Sequence, residues 1–288
     1  MGKRRLNGEH IQVRLPETLF SLPEGYTDKL RAASYKGGER TASILEKKEA
    51  ISEGEFALEQ ETYRQIAGEN LAFFHLLMSC YLSRMVYDFE RIAFDHRASL
   101  RNKYLIAAMS QKELTIACLY LKPKIIPHIP SWDKHIHMGY NGWWASHFYG
   151  AVTVARVARR LLQEGAEVRL PTAAEDIDDK IDLIASFKGR SEGLCMQIKS
   201  DDQVEWIQHR VCSGLNPNRE PESLRRFLLG TRKFQDQYRG IWIPIELTLG
   251  SKPFQDGTTV WRGPIVDIFH TILTKALEEH DPSLRAAM

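Results

Sequence analysis

Two short stretches carry the residues best suited to chemistry. One is Asp178-Asp179-Lys180-Ile181-Asp182-Leu183-Ile184-Ala185, the other Gly193-Leu194-Cys195-Met196-Gln197-Ile198-Lys199-Ser200. Both read as strands, and the polar run Lys188–Gly193 joins them as a hairpin. With Phe187 opposite Leu194, Asp182 falls opposite Lys199, and Ile184 falls opposite Gln197. Side chains alternate along a strand, so Gln197 and Lys199 share a face. Directly opposed residues stand about 4.5–5.5 Å apart at Cβ. An even slip of register changes the partners and keeps the face. A carboxylate, an amide and an amine therefore converge.

Such a set suits metal-assisted phosphodiester hydrolysis. Mg²⁺ (or Mn²⁺) takes hard oxygen ligands, commonly one or two carboxylates with waters and phosphate. Asp182 supplies the carboxylate, the Ile198 carbonyl a second oxygen, and Gln197 a weaker, neutral amide oxygen. Lys199 would hold the attacking water and offset charge on the phosphate. The plainer alternative is a solvated Asp182–Lys199 ion pair, worth about 0.2–1 kcal/mol. Ile184 and Cys195 on the same face argue instead that the patch is partly covered.

The surrounding elements must hold that hairpin. Ala145–Glu164 has the pattern of an amphipathic helix, with Val154, Ala158, Leu161 and Leu162 on one side and Arg156, Arg159, Arg160 and Gln163 on the other. Gly165 ends it. A strand at Glu167–Leu170 precedes the hairpin. Helical segments at Asp202–Val211 and Glu222–Tyr238, a strand at Ile241–Leu249 and a helix at Val266–Glu279 follow. Helices and strands mixed in this order predict an α/β domain. Ile241, Ile243, Ile245 and Leu247 share a face and leave Glu246 on the other. Pro244 cannot donate to a ladder, which predicts an edge or irregular strand.

Towards the N-terminus the pattern differs. Residues 1–45 read as irregular, punctuated by Pro16, Pro23, Gly25, Gly37 and Gly38. From Lys47 to Lys122 the chain is helical in character, and Ser110 with Glu113 resembles a capping box. The stripe Leu71, Phe74, Met78 and Tyr81 reads as core or as a homodimer surface. Pro123, Pro127, Pro130, Gly139 and Gly142 mark a connection. The expected organisation is a helical domain at 1–140, with an irregular start, and the α/β domain at 141–288.

The residues from Gly150-Ala151-Val152 through Leu161-Leu162-Gln163-Glu164-Gly165-Ala166-Glu167-Val168, then Ile181-Asp182-Leu183-Ile184 and Met196-Gln197-Ile198-Lys199, resemble the PD-(D/E)XK nuclease superfamily. The resemblance covers roughly residues 145–200 and uses a Gln-x-Lys variant of the triplet. It implies a restriction endonuclease-like mixed sheet flanked by helices. It also implies a metal-dependent nuclease, a DNA endonuclease by preference, with Asp182, Gln197 and Lys199 as its site. The family's first helix usually carries a Glu, and the positions near Thr153 and Val154 are not acidic. A second acid must then come from Glu175, Asp178, Asp179 or Glu246. Without one, the alternative is a catalytically silent scaffold that binds nucleic acid or a protein.

Composition narrows the field. The chain has 288 residues, with 39 Lys+Arg against 37 Asp+Glu, a balance that excludes histone-like binding through bulk charge. A local basic face remains open, from Arg156, Arg159 and Arg160 or from Arg225, Arg226, Arg232, Lys233 and Arg239. Tyr140, Trp143, Trp144, Phe148 and Tyr149 read as packing more than as base-stacking residues. His135-x-His137, near His128 and His147, has no partner at zinc-like spacing except Asp133. The four cysteines form no C-x-x-C pair, and the basic start has no apolar core behind it, so a cytoplasmic location is expected. The longest run without Lys, Arg, Asp or Glu, Met138–Ala155, is too polar for a membrane span.

Overall fold

The computed structural model describes residues 10–47, 56–92, 97–132, 136, 143–188, 192–201, 208–238 and 240–250. The chain falls into two compact units: Leu15–Ala155, and Arg156 onward together with His10–Arg14. The division lies between Ala155 and Arg156, inside a helix, and not at the Pro-rich connection where the sequence places it. Pro123, Pro127 and Pro130 belong instead to a 3-10 run, Pro123–Trp132, within the first unit.

The first unit is built from α1 (Tyr26–Lys47), α2 (Ala57–Ala67), α3 (Leu71–Ile92) and α4 (Arg97–Tyr120). α3 is its centre and packs against the other three. Phe74, Met78 and Tyr81 are buried, as the stripe predicts for a core, while Leu71 is exposed. α1 occupies a stretch that reads as irregular because Gly37 and Gly38 weaken helix by about 1 kcal/mol each relative to Ala. A Cβ on Gly37 would lie 2.2 Å from the Tyr81 carbonyl oxygen. That glycine lets α1 touch the backbone of α3, and packing overrides propensity. Ser110 is likewise no cap. It lies inside α4, 2.7 Å from the Ser83 hydroxyl, and donates to the Ser79 carbonyl at 3.2 Å. Glu113 meets His75 at 2.6 Å. The apparent box is a polar link between two buried helix faces.

The second unit is mixed α/β. β1 (Ile11–Val13), β2 (Ala166–Leu170), β3 (Leu183–Phe187), β4 (Glu192–Asp201), β5 (Gln208–Val211) and β6 (Ile241–Gly250) form one sheet in the order β1-β2-β3-β4-β6-β5. β1 to β4 run antiparallel to their neighbours, β6 runs parallel to β4, and β5 closes the edge antiparallel to β6. A parallel pair needs a crossover, and the helix between β5 and β6 supplies it. β5 lies where a helical segment is expected from the sequence. α5 (Trp143–Gln163) leads into β2. From Ala151 to Ala158 it is buried at every position, so the amphipathic stripe read from the sequence opens only in its last turns.

β6 is internal, not an edge. The Pro244 carbonyl accepts the Cys212 N–H at 2.8 Å. The proline nitrogen points the same way, towards β5, whose ladder ends with Val211 opposite Ile245. The missing donor therefore falls just past the end of a strand, where no ladder bond is lost. α6 (Glu222–Tyr238) lies over this face of the sheet. Its Leu224, Phe227, Leu228 and Phe234 pack with Ile184, Cys195 and Cys212 in one core, so the face is covered, as Ile184 and Cys195 suggest. Among the described residues no helix is long and apolar enough to cross a membrane.

Candidate functional site

β4 leaves the core as it passes the site: Gly193–Gln197 are buried, Ile198 is partly so, and Lys199–Asp201 are exposed. Leu183 pairs with Met196 and Ile184 with Cys195, two residues displaced from the register expected above. The slip is even, so the face is kept. The Asp182 N–H donates to the Met196 carbonyl at 2.8 Å. Asp182 lies just before β3, and its bond to Met196 is offset by one from the Leu183–Met196 pairing, so it does not stand opposite Lys199.

Across the parallel pair, Gln197 aligns with Glu246, and Glu246 aligns with Arg210 of β5. Gln197, Glu246 and Arg210 thus form a lateral row on adjacent strands, about 4.7–4.9 Å apart, and Asp182 is tied to the neighbouring Ile198 N–H. One step outward along the strand, Lys199 Nζ donates to Glu246 Oε2 at 2.9 Å. Arg210 turns from the row to Glu220, 3.3 Å away. The alternation of β6 places Glu246 beside the Gln-x-Lys triplet, as its sequence pattern suggests.

Each side chain is held by a neighbour. Asp182 Oδ2 accepts the Ile198 N–H at 2.6 Å. Ile198 therefore meets Asp182 through its amide N–H, and in an extended strand its carbonyl points to the same side. Gln197 Nε2 donates to the hydroxyl of Ser223, in the first turn of α6, at 3.0 Å. Gln197 Oε1 is buried with no hydrogen-bond partner. An unsatisfied buried acceptor costs about 1–3 kcal/mol, a cost that a coordinated cation or water removes. The oxygen thus fits a hard cation held jointly with the flanking carboxylates.

The field around Asp182 is unusual. Part of the residue reaches the surface, yet its carboxyl sits in a desolvated environment that pushes its pKa up to about 8. The Asp176 carboxylate raises it further, against the Ile198 N–H, Lys180 and Lys199, which lower it. A carboxyl poised near neutrality in this way marks a candidate functional group.

Four acids were candidates for the second ligand, and the structure separates them. Glu175 is taken by His10 at 2.7 Å and by the Thr172 N–H at 2.8 Å. Asp179 is paired with Lys233 at 2.7 Å, and Asp178 is exposed. Glu246 alone of the four stands in the row. Asp176, which the sequence reading passed over, lies close enough to Asp182 to raise its pKa. Its position depends on the π-turn Glu175–Asp179 folding back towards the strand. An acidic loop before the motif strand was its only signal. Among the described residues no group of three or more His, Cys, Asp and Glu side chains is disposed to hold a metal.

The basic residues are distributed unevenly. Arg156 is buried, and its desolvation lowers its pKa to about 10. Arg160 pairs with Glu164 at 2.7 Å, and Arg159 is half-buried. On α6, Arg225 pairs with Glu222 at 3.1 Å, and Arg226 donates to the carbonyls of Ile177 and Asp178. Arg232 and Lys233 are exposed. Phe148 is buried and Tyr149 exposed. Asp133, His135, His137, Tyr140, Arg239 and the helix expected at Val266–Glu279 lie outside the described residues. No family model, curated protein or solved structure matches the chain.

Proposed function

We propose that the second unit is a metal-dependent nuclease that hydrolyses phosphodiester bonds, with DNA as the preferred substrate. The observation that carries this reading is the pair Gln197–Glu246 on adjacent strands, with Lys199 one step outward and Asp182 bound to the Ile198 N–H beside it. Helix, antiparallel strands, crossover helix and parallel strand follow one another in an order compatible with the PD-(D/E)XK superfamily, whose motif residues the sequence resembles. On this reading the sheet is restriction endonuclease-like, and Asp182, Gln197 and Glu246 would hold Mg²⁺ or Mn²⁺. The ion, when bound, lowers the pKa of a water and stabilises charge on the phosphate. Lys199 is exposed and its ammonium reaches Glu246, so it can donate to a phosphate oxygen or hold a water at the outer rim of the row. Ser223 fixes the Gln197 amide so that its oxygen faces away from α6's first turn.

A second reading, the catalytically silent scaffold, is favoured by one observation. Asp182 Oδ2 is already occupied by the Ile198 N–H, and burial favours the neutral acid. Cleavage of supercoiled plasmid in Mg²⁺ or Mn²⁺ separates the two. A nuclease nicks or linearises the plasmid, and Lys199→Ala and Asp182→Ala lose that activity while nucleic-acid binding persists. The division follows because phosphate contacts dominate affinity, whereas the metal acts on the transition state. No cleavage in either metal supports the scaffold. Equal cleavage by wild type and Asp182→Ala ends the catalytic assignment.

A further inference from the structure

The first unit holds a cavity of about 610 Å³ lined by α1, α2 and the Tyr81 side of α3. That size lies within the ~300–1,000 Å³ of small-molecule sites. α2 is sparsely buried: Tyr63 is its buried residue, while Leu58 and Ile66 are 76% and 44% exposed. Leu58, Thr62 and Ile66 recur every four residues and so form one side of the helix. All three line the cavity, and Ala32 and Ala33 of α1 line it too. Water therefore meets an apolar trough, not isolated apolar side chains.

The charges on this trough are unequal in their engagement. Glu39 pairs with Lys36 at 3.0 Å, and Glu59 accepts the Tyr81 hydroxyl at 3.2 Å. Arg40 lines the same cavity, and its Nε is buried without a hydrogen-bond partner. Lys29 adds a second positive charge, its ammonium lying 5.9 Å from the centre of the Phe73 ring. The acids are occupied and a guanidinium donor is open, so the polar end of the trough is matched to an anion. A planar guanidinium suits a carboxylate better than a point charge would.

We propose that this trough binds an amphiphilic carboxylate with an unbranched apolar tail, its head on Arg40 and its tail along Leu58 and Ile66. The eight steps along the helix from Leu58 to Ile66 rise about 12 Å, the reach of a medium-length alkyl chain. The ligand would satisfy the buried Nε and cover the two exposed side chains at once. This inference concerns the first unit and does not depend on the nuclease reading.

The test is calorimetric titration of the full chain with decanoate below its micelle concentration, with decanol as the neutral counterpart. Saturable one-site binding is expected, with decanoate at least tenfold tighter than decanol. Arg40→Gln should weaken decanoate about tenfold or more, the range of a hydrogen bond to a charged group, and leave decanol unchanged. Leu58→Asp should abolish both, and because Leu58 is so exposed this variant keeps the fold. If Arg40→Gln fails to fold by circular dichroism, the decanoate-to-decanol ratio and Leu58→Asp decide the matter. Absence of saturable binding, equal affinity for acid and alcohol, or undiminished binding by Leu58→Asp overturns the proposal. So does concentration-dependent dimerisation lost in Leu58→Asp and indifferent to decanoate, which would assign the trough to a second copy of the chain.

Discussion

Two groups of acids in the second unit are used in opposite ways. In the π-turn, Glu175 is tied to His10 and Thr172, and Asp179 to Lys233, while Arg226 holds the carbonyls of Ile177 and Asp178. At the strands, Asp182 accepts the Ile198 N–H and Glu246 aligns with Gln197, whose oxygen has no partner. The titrations diverge accordingly. Burial alone would raise Glu175, but hydrogen bonds from His10 and Thr172 hold it below the usual range. Asp182 has one such bond, and burial wins. Acids on the turn are neutralised by neighbours and fasten it to α6, whose Gly230 abuts Asp179 so closely that a Cβ would lie 2.3 Å from it. Acids on the strands are aligned by the ladder and left with capacity to bind something else.

The largest expected effect breaks this comparison at Asp182. Asp182→Asn keeps the shape and removes the charge, and on the nuclease reading it should lower the cleavage rate by about a hundredfold or more, some 3 kcal/mol in the barrier. Its thermal stability should match or exceed that of wild type, because a desolvated carboxylate is a liability at neutral pH. Initial rates on plasmid, with melting curves in parallel, read both outcomes. Wild-type rates in Asp182→Asn would place the strand acids with the turn acids, as structural groups.

Next in size is Glu175→Ala, where the expected loss is in stability. It strands His10, leaves the Thr172 N–H without its acceptor and should cost about 2–4 kcal/mol. Denaturant titration gives the number. Cleavage per folded molecule should be unchanged, since Glu175 faces β1 and Thr172 and not the row. A cost below 1 kcal/mol would mean that the His10–Glu175 contact does not anchor β1.

The pH dependence sharpens the same contrast with a smaller effect. Glu175 has a lowered pKa when folded, so its stabilisation is present above its unfolded value near 4.5 and is lost as pH falls through the lower folded value. Asp182 has a raised one, so its favourable contribution is complete below 3.8 and is lost as pH rises through about 8. Glu175→Gln should therefore flatten the acid limb of stability against pH, and Asp182→Asn the limb between pH 5 and 8. Mg²⁺ must displace the Asp182 proton, so apparent Mg²⁺ affinity should rise by about tenfold per pH unit up to about 8. An affinity flat from pH 6 to 8 in wild type would show that Asp182 is not the ligand.

What could be read from sequence followed what is local. Asp182, Gln197 and Lys199 share a face because strand side chains alternate, and that needs no knowledge of the partner strand. Glu246 followed from the same alternation around Ile243 and Ile245. The register itself is displaced by two, because alternation fixes the face and not the partner. Features set by distant contacts were misread. Gly37 and Gly38 read as loop residues until Tyr81 lies against the first and Arg84 and Asp88 against the second, and Pro244 reads as an edge marker until β5 ends beside it. Asp176 could not be singled out among five neighbouring polar positions, because only the π-turn decides which acid faces Asp182. The buried Arg156 misled for the opposite reason: an arginine on a helix usually marks its wet side, and α5 has none over that stretch.

The smallest expected effect tests the turn side of the comparison at its weakest link. Lys233 donates to Asp179 at 2.7 Å, but its side chain is 57% exposed whereas that of Asp179 is 13% exposed. A pair so open on one side is screened by solvent and salt, so Lys233→Ala should cost only about 0.5 kcal/mol, and less at high ionic strength. Asp179→Ala removes the other partner from a more enclosed position and should cost more, because the carboxylate is the less exposed end of the pair. The asymmetry between the two single variants is the measurement of interest, read from denaturation midpoints at low and at 1 M salt. Equal costs that vanish together in salt would mean that the contact is only a surface ion pair. A larger, salt-insensitive loss for Asp179→Ala would show that packing of the turn against α6 holds these acids in place, leaving Asp182 and Glu246 to face Gln197.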